Sequence, residues 1–306
     1  NELDYLVFYE KPLVKFERIL VSSISTFPQS LLFFRNSMHE WLTKKLWIKS
    51  IISTELKLDN PNKILFIDHH LSHAASCFYP SPYKKSAVLT IDGVGEWTTA
   101  AIGIGDGHAI KLIETLRFPQ SVGLLYSTFT AFLGFEVNEG EYKMMGMAAF
   151  GKPIYYEKVK QVVEIFDDGS INLNLDYFTH YYGADIPYSK RFIELFGIPR
   201  ASKSLFFTRR SGFPRYFGQK PTDFISQAKS NEYYANIAAS IQKVTEEIII
   251  RMAKHALKIS KSNNICLAGG VALNSVANGL VEKEVTKNLF VQPAAGDSGG
   301  ALGAAL

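Results

Sequence analysis

Ser86-Ala87-Val88-Leu89-Thr90-Ile91-Asp92-Gly93-Val94-Gly95-Glu96-Trp97-Thr98-Thr99-Ala100-Ala101-Ile102-Gly103-Ile104-Gly105-Asp106-Gly107-His108-Ala109-Ile110-Lys111-Leu112-Ile113-Glu114-Thr115-Leu116 is the stretch on which the architecture turns. Ala87 to Ile91, Thr98 to Ile104 and Ile110 to Leu116 are rich in β-forming residues. Asp92-Gly93-Val94-Gly95 and Gly105-Asp106-Gly107 separate them, and glycine and aspartate suit tight reversals, so the spacing predicts an antiparallel meander. Upstream, Ile64 to Ile67 is an apolar run suited to a buried strand, and Asp68 can cap a helix opening at His69. Before that, Phe33 to Leu58 carries apolar residues at helical spacing and reads as one or two amphipathic helices stopped by Asn60-Pro61-Asn62.

Downstream, Gly123 to Phe135, Tyr142 to Phe150 and Asn231 to Ser260 read as helices. Asp167 to Lys229 is irregular, aromatic-rich and reads as an insertion. Ile265 to Gly270 and Leu289 to Val291 then open two strand-loop-helix units, the first helix covering Ala272 to Val281. A meander followed by strand-loop-helix units, each strand ending in glycine or aspartate, predicts an α/β fold with its active groups at strand ends.

Composition narrows the function classes. The 306 residues are 47% hydrophobic and 20% charged, which excludes disordered, collagenous and coiled-coil chains. A net charge of +4 is too mild to announce a nucleic-acid binder, although Arg200 to Lys220 holds six cations and no acid among five aromatics. Cys77 and Cys266 lie far apart without paired spacing, which fits a reducing cytoplasm better than a disulfide scaffold. No run reaches the roughly 18 apolar residues of a membrane span, so no membrane partner is expected. The start at Asn1-Glu2-Leu3-Asp4 and the close within Gly300 to Leu306 both read as cut ends, and a fragment is expected.

Three of the seven histidines fall in His69-His70-Leu71-Ser72-His73. On a helix His69 and His73 share one face and can hold one metal ion, although a bare pair at this spacing more often caps or packs. The general-base glutamate of hydrolase helices is missing, since the second position is His70. Asp92 ends an apolar strand, and Gly93 and Gly95 would let backbone approach a phosphate; a plain hairpin turn is the alternative. Asp297 and Ser298 open a helix behind a glycine-lined loop, where amides favour an anion, or where Asp297 only caps. Two histidines and two carboxylates form an acceptable N/O set for Zn²⁺ or Fe²⁺. Gly269, Gly270 and Asn274 sit where a nucleotide-contacting turn would, or a tight connection. Glu141 and Lys143 mark a helix start.

Taken together these motifs resemble the N-terminal domain of the NodU/CmcH/TobZ-type O-carbamoyltransferases, itself similar to the universal tRNA threonylcarbamoyladenosine-forming protein. The resemblance runs in family order through His69 to Ser76, Thr90 to Glu96, Pro119 to Tyr126, Leu133 to Phe135, Gly140 to Ala148, Leu267 to Asn274 and Gly296 to Ala301. It implies a two-lobed actin/sugar-kinase/Hsp70-like (ASKHA) fold, N-terminally incomplete because the family's opening strand is missing. The expected division is a first lobe at 1–83, a second at 84–295 with an insertion at about 167–230, and a helix at 296–306 returning to the first lobe.

It further implies a metal, Fe²⁺ or Zn²⁺, on His69, His73, Asp92 and Asp297, and nucleotide contacts around Gly269, Gly270 and Asn274. The family makes carbamoyl adenylate from carbamoyl phosphate and ATP in a C-terminal YrdC-like domain, absent from this sequence. The domain read here then passes the carbamoyl group to a hydroxyl-bearing acceptor; on this reading Lys143 or nearby donors are expected to offset the charge on the carbonyl, with His70 as the candidate proton acceptor. An open sheet edge would allow a homo-oligomer. Two rivals remain: an ATP-hydrolysing or sugar-phosphorylating ASKHA enzyme, and a tRNA-modifying or RNA-binding protein, with nucleic acid the less expected partner.

Overall fold

The computed structural model describes residues 3–183 and 185–306, so the opening Asn1-Glu2 and Ala184 of the insertion lie outside the described residues. In chain order the elements are β1 (Leu6–Phe8), α1 (Pro12–Ser25), α2 (Leu31–Thr43), α3 (Ile48–Glu55), β2 (Ile64–Phe66), α4 (His69–Phe78), β3 (Lys85–Ile91), β4 (Thr98–Asp106), β5 (Ala109–Arg117), α5 (Val122–Phe132) and α6 (Glu141–Ala148). There follow α7 (Tyr156–Val159), β6 (Val163–Ile165), β7 (Ile171–Leu173), α8 (Lys190–Phe196), α9 (Phe224–Ser260), β8 (Asn264–Ala268), α10 (Ser275–Glu284), β9 (Asn288–Val291) and α11 (Asp297–Ala305).

The central sheet has the order β5-β4-β3-β8-β9. The meander β3-β4-β5 is antiparallel, as its turn residues require, and β3-β8 and β8-β9 are parallel. Alternation along β3 and β8 divides the interior into two layers. Ala87, Leu89, Ile91, Ile265 and Leu267 face the main core, which α5 and α9 fill with Leu125, Phe129, Ile237, Ile241, Val244 and Ile248. Val88, Cys266 and Ala268 face the other way, onto Ala74, Cys77 and Phe78 of α4. The molecule is thus a mixed α/β fold around one central sheet, with β1 and β2 forming a separate parallel pair.

Three features of the packing bear on the expected boundaries. α4 covers β3 and β8, so a boundary at residue 83 cuts a helix from the sheet whose second face it fills. α11 packs on both α4 and β1, elements that lie within residues 1–83. α9 begins at Phe224, seven residues before the expected start, because Phe224 and Ala228 join Phe207, Phe213 and Phe217 in a small core belonging to the insertion.

Candidate functional site

β2 delivers the chain to Asp68, whose carboxylate accepts from Leu71 N at 3.2 Å and starts α4 at His69. His69 and His73 follow one turn apart, with rings at 90° and Nε2 atoms 3.1 Å from each other. Asp92 ends β3 and brings Oδ2 to 2.9 Å from His69 Nε2 and 3.6 Å from His73 Nε2. Asp297, the first residue of α11, places Oδ1 3.7 Å from both nitrogens. All four donor atoms lie within 4.8 Å of one another.

Donors at the corners of a tetrahedron around Zn²⁺ stand about 3.4 Å apart, given metal bonds of about 2.0–2.1 Å. The measured separations bracket that value, so the N₂O₂ set fits a borderline divalent cation in both geometry and chemistry. Both Nδ1 atoms are buried without a hydrogen-bond partner, so the polar contacts of each ring lie at its Nε2 edge. Burial works against a charged His69, but the hydrogen bond and charge of Asp92, with Asp297 and Glu96 behind it, raise its pKa. Burial likewise works against an ionised Asp92, yet hydrogen bonds and charge from His69 and His73 hold its carboxyl well below the usual carboxylate range.

The glycine turns serve this cluster. A Cβ at Gly95 would stand 2.7 Å from His69 Cδ2, so the position must stay bare for the imidazole. Gly93 has no atom within 4 Å of its missing side chain and leaves the Asp92 turn open. Gly269 takes φ +92° and passes so close to Ile91 that a Cβ would lie 2.2 Å from its carbonyl oxygen. Gly270 N then donates to Asp92 Oδ1 at 3.0 Å. Ser121 caps α5, accepting from Leu124 N at 3.0 Å, and donates its hydroxyl proton to Gly93 O at 2.6 Å, which fixes the loop beyond Asp92.

Three expected residues are placed elsewhere than their roles require. His70 is fully buried, with Nδ1 2.7 Å from Thr90 Oγ1 and Nε2 2.9 Å from Thr98 O. These partners assign a neutral ring that donates from Nε2 and accepts at Nδ1. Burial and the neighbouring His69 charge push its pKa down to about 3, so it is not an available proton acceptor. Lys143 is exposed on α6, its ammonium 5.6 Å from the centre of the Tyr142 ring, with no contact to the cluster among the described residues. Asn274 is buried: its oxygen accepts from Ala277 N and Gln242 Nε2, and its amide donates to Gln242 Oε1. It caps α10 and is not free to read a nucleotide. Ser298 is exposed in the first turn of α11, beside Asp297.

Two residues escaped the sequence reading. Glu96 is 4% exposed and accepts from His69 N at 3.1 Å and from Lys11 N at 2.8 Å, joining the start of α4 to that of α1. Its place in Asp92-Gly93-Val94-Gly95-Glu96 was the available signal. Tyr9 follows β1, its ring centroid 5.8 Å from that of His69. Burial and the charges of Asp297, Glu10 and Asp92 push its phenol up to about 12.

The profile of the carbamoyltransferase N-terminus family matches residues 1–306. The chain belongs to that family. An uncharacterized protein of Synechocystis, sll1178, is 42% identical over all of this chain and 47% of its own length. The nodulation protein NolNO of Sinorhizobium fredii is 33% identical over 91% of this chain and 36% of its own. This chain therefore spans between about a third and a half of these relatives. Among solved structures, HypF of T. kodakarensis aligns with 84% of this chain and 37% of its own, at 17% identity and a TM-score of 0.38. Among the described residues no helix is long and apolar enough to cross a membrane.

Proposed function

We propose that this chain is the transfer domain of an O-carbamoyltransferase, passing a carbamoyl group from carbamoyl adenylate to a hydroxyl of a small-molecule or sugar acceptor. The observation that carries the reading is the convergence of His69, His73, Asp92 and Asp297 at one end of the sheet, in a chain matched throughout by a carbamoyltransferase family. These four residues would hold Zn²⁺ or Fe²⁺, which when bound supplies Lewis acidity toward a carbonyl oxygen. The chain's own groups fix the frame: Glu96 sets the start of α4, Gly270 N orients Asp92, and Gly93 leaves an open approach. Carbamoyl adenylate would come from carbamoyl phosphate and ATP in a YrdC-like domain elsewhere in the protein. A sheet made of a meander and two added parallel strands supports the finer ASKHA reading, and two free, buried cysteines support a reducing, cytoplasmic setting.

The insertion argues against the RNA rival. Phe207 stacks on Phe224 at 5.4 Å and 10°, Phe213 and Phe217 close the same cluster, and Phe206 lies near the Arg200 guanidinium. Arg200 is buried against carbonyls, Arg209 grips Glu232, and Lys220 covers Phe224. Tyr216 alone in that aromatic run presents its ring to solvent, at 83% exposure, so the interleaved rings form a core where base stacking would need a platform.

The test is full-length protein against its His73→Ala variant, supplied with carbamoyl phosphate, ATP and a mixture of hydroxyl-bearing metabolites. The variant should stay folded while losing bound metal and carbamoylated product by mass spectrometry. Wild-type turnover in metal-free protein would overturn the reading, and ATP turnover that ignores carbamoyl phosphate would favour the kinase-like rival.

A further inference from the structure

Tyr9 is held against both helices that supply candidate ligands. Its carbonyl accepts from Ser72 Oγ at 3.2 Å, and Ser72 lies on α4 between His69 and His73. Its ring is tilted 50° to that of His69. Its Cβ and Cδ2 lie 3.3 and 3.1 Å from where Gly300 of α11 would carry a Cβ, so the glycine makes room for the ring. Backbone and ring are therefore fixed, yet the phenol hydroxyl has no hydrogen-bond partner among the described residues. A phenol with an unpartnered hydroxyl, its ring against that of His69, is a polar group that a ligand of the cluster can meet.

We propose that Tyr9 is a catalytic residue that touches substrate, its hydroxyl donating a hydrogen bond to the carbonyl oxygen of the carbamoyl group. The inference rests on the transfer reading above. In that transfer the acceptor oxygen bonds to the carbamoyl carbon and gives up its proton to solvent. The bond from that carbon to the donor's phosphate oxygen breaks, and AMP leaves with the electron pair. Negative charge grows on the carbonyl oxygen while both bonds are partial, and a preorganised donor lowers that barrier without giving up its proton. A phenol hydroxyl is a neutral hydrogen-bond donor and suits this role.

The test uses the full-length protein and its Tyr9→Phe variant. Three readouts are taken: Zn²⁺ affinity by calorimetry, affinity for 5′-O-sulfamoyladenosine, and AMP release from synthetic carbamoyl adenylate with water in place of the acceptor. The sulfamoyl oxygens of the second probe occupy the place of the carbonyl oxygen. Tyr9→Phe should leave Zn²⁺ affinity within about twofold, weaken the sulfamate about tenfold, and slow AMP release about ten- to a hundredfold. Unchanged sulfamate affinity and unchanged AMP release would overturn the role of Tyr9. Loss of Zn²⁺ affinity together with activity would also overturn it, by showing that Tyr9 acts through the cluster. A wild-type protein that binds Zn²⁺ and the sulfamate but never releases AMP would sink the transfer reading, and the sulfamate comparison would still decide for or against Tyr9.

Discussion

Replacing Gly303 with alanine should detach one candidate ligand from a distance. α11 lies on α4 through Gly300 and Gly303, both buried. A Cβ at 303 would stand 1.8 Å from Ser72 O and 2.7 Å from Ser76 N, where real Cβ atoms stay beyond 3.0 Å. α11 must therefore retreat from α4 by about 1.2 Å, since the obstacle is helix backbone. Asp297 lies six residues away, about 9 Å along the same rigid helix. A rigid retreat carries its carboxylate away from α4 and widens the 3.7 Å gaps to His69 and His73 toward 5 Å. Metal bonds tolerate about 0.2 Å, so Gly303→Ala should weaken Zn²⁺ at least about tenfold in calorimetry. Overpacking costs about 1–3 kcal/mol and the helix preference of alanine returns about 1, so the melting temperature should fall modestly. Gly279→Ala is the control: it lies exposed within α10 with nothing within 4 Å, and should stabilise by about 0.5–1 kcal/mol without touching Zn²⁺ affinity. Wild-type Zn²⁺ affinity in Gly303→Ala would refute the claim that α11 packing sets the position of Asp297.

Glu96→Ala strips the acceptor from two backbone donors, His69 N and Lys11 N, and should cost about 3 kcal/mol or more in urea unfolding. Glu96→Gln keeps an oxygen for both and should cost about 1; equal losses would show that the carboxylate does not hold the helix starts. His180, whose Nε2 is 3.3 Å from Pro119 O, has its pKa pushed down to about 4 by burial. Above pH 6.5 neither the folded nor the unfolded state carries its proton, and its contribution is complete. Between about 6.5 and 4 only the unfolded chain takes the proton, so stability falls as pH falls, by at most about 3 kcal/mol. His180→Phe should flatten the decline in melting temperature from pH 7 to 4.5 relative to wild type, and an identical decline would rule this account out.

What the sequence disclosed was whatever is written locally. Asp92-Gly93 and Asp106-Gly107 mark reversals by backbone chemistry alone, so the meander appeared with its ends nearly right. The pair His69 and His73 is visible because helical spacing is a local property, and Asp92 and Asp297 because each stands at the end of an element. α1 was not read from the sequence although its apolar residues recur at helical spacing; only Arg18, Ile19 and Ser23 are buried in it, while Leu13 and Ile24 face outward. Glu96 was missed as a site residue because its partners lie 85 and 27 residues away. His70 was misassigned because its ring direction is set by Thr90 and Thr98, on the far side of a strand pairing. The role of the insertion stayed open for a related reason: composition counts aromatics but cannot say whether they meet one another or solvent.

The four candidate ligands are not held alike, and the difference bears on how the site could work. Asp92 is joined to four parts of the fold: His69 and His73 through Oδ2, Gly270 through Oδ1, β4 through its amide on Thr99 O, and the start of α5 through Ser121. With His69 at 2% and His73 at 0% exposure, it forms three fixed corners set into the seam between β3 and β8. Asp297 is 58% exposed and is carried by α11. A cation at this cluster would thus rest on three rigid donors and meet solvent on the side of the fourth. Substrate would have to arrive from that side, where the exposed Ser298 follows Asp297, whereas His70 and Asn274 are buried and engaged by their own hydrogen bonds. The division between rigid donors and open approach follows from burial: His69, His73 and Asp92 are held inside the fold, and Asp297 faces solvent.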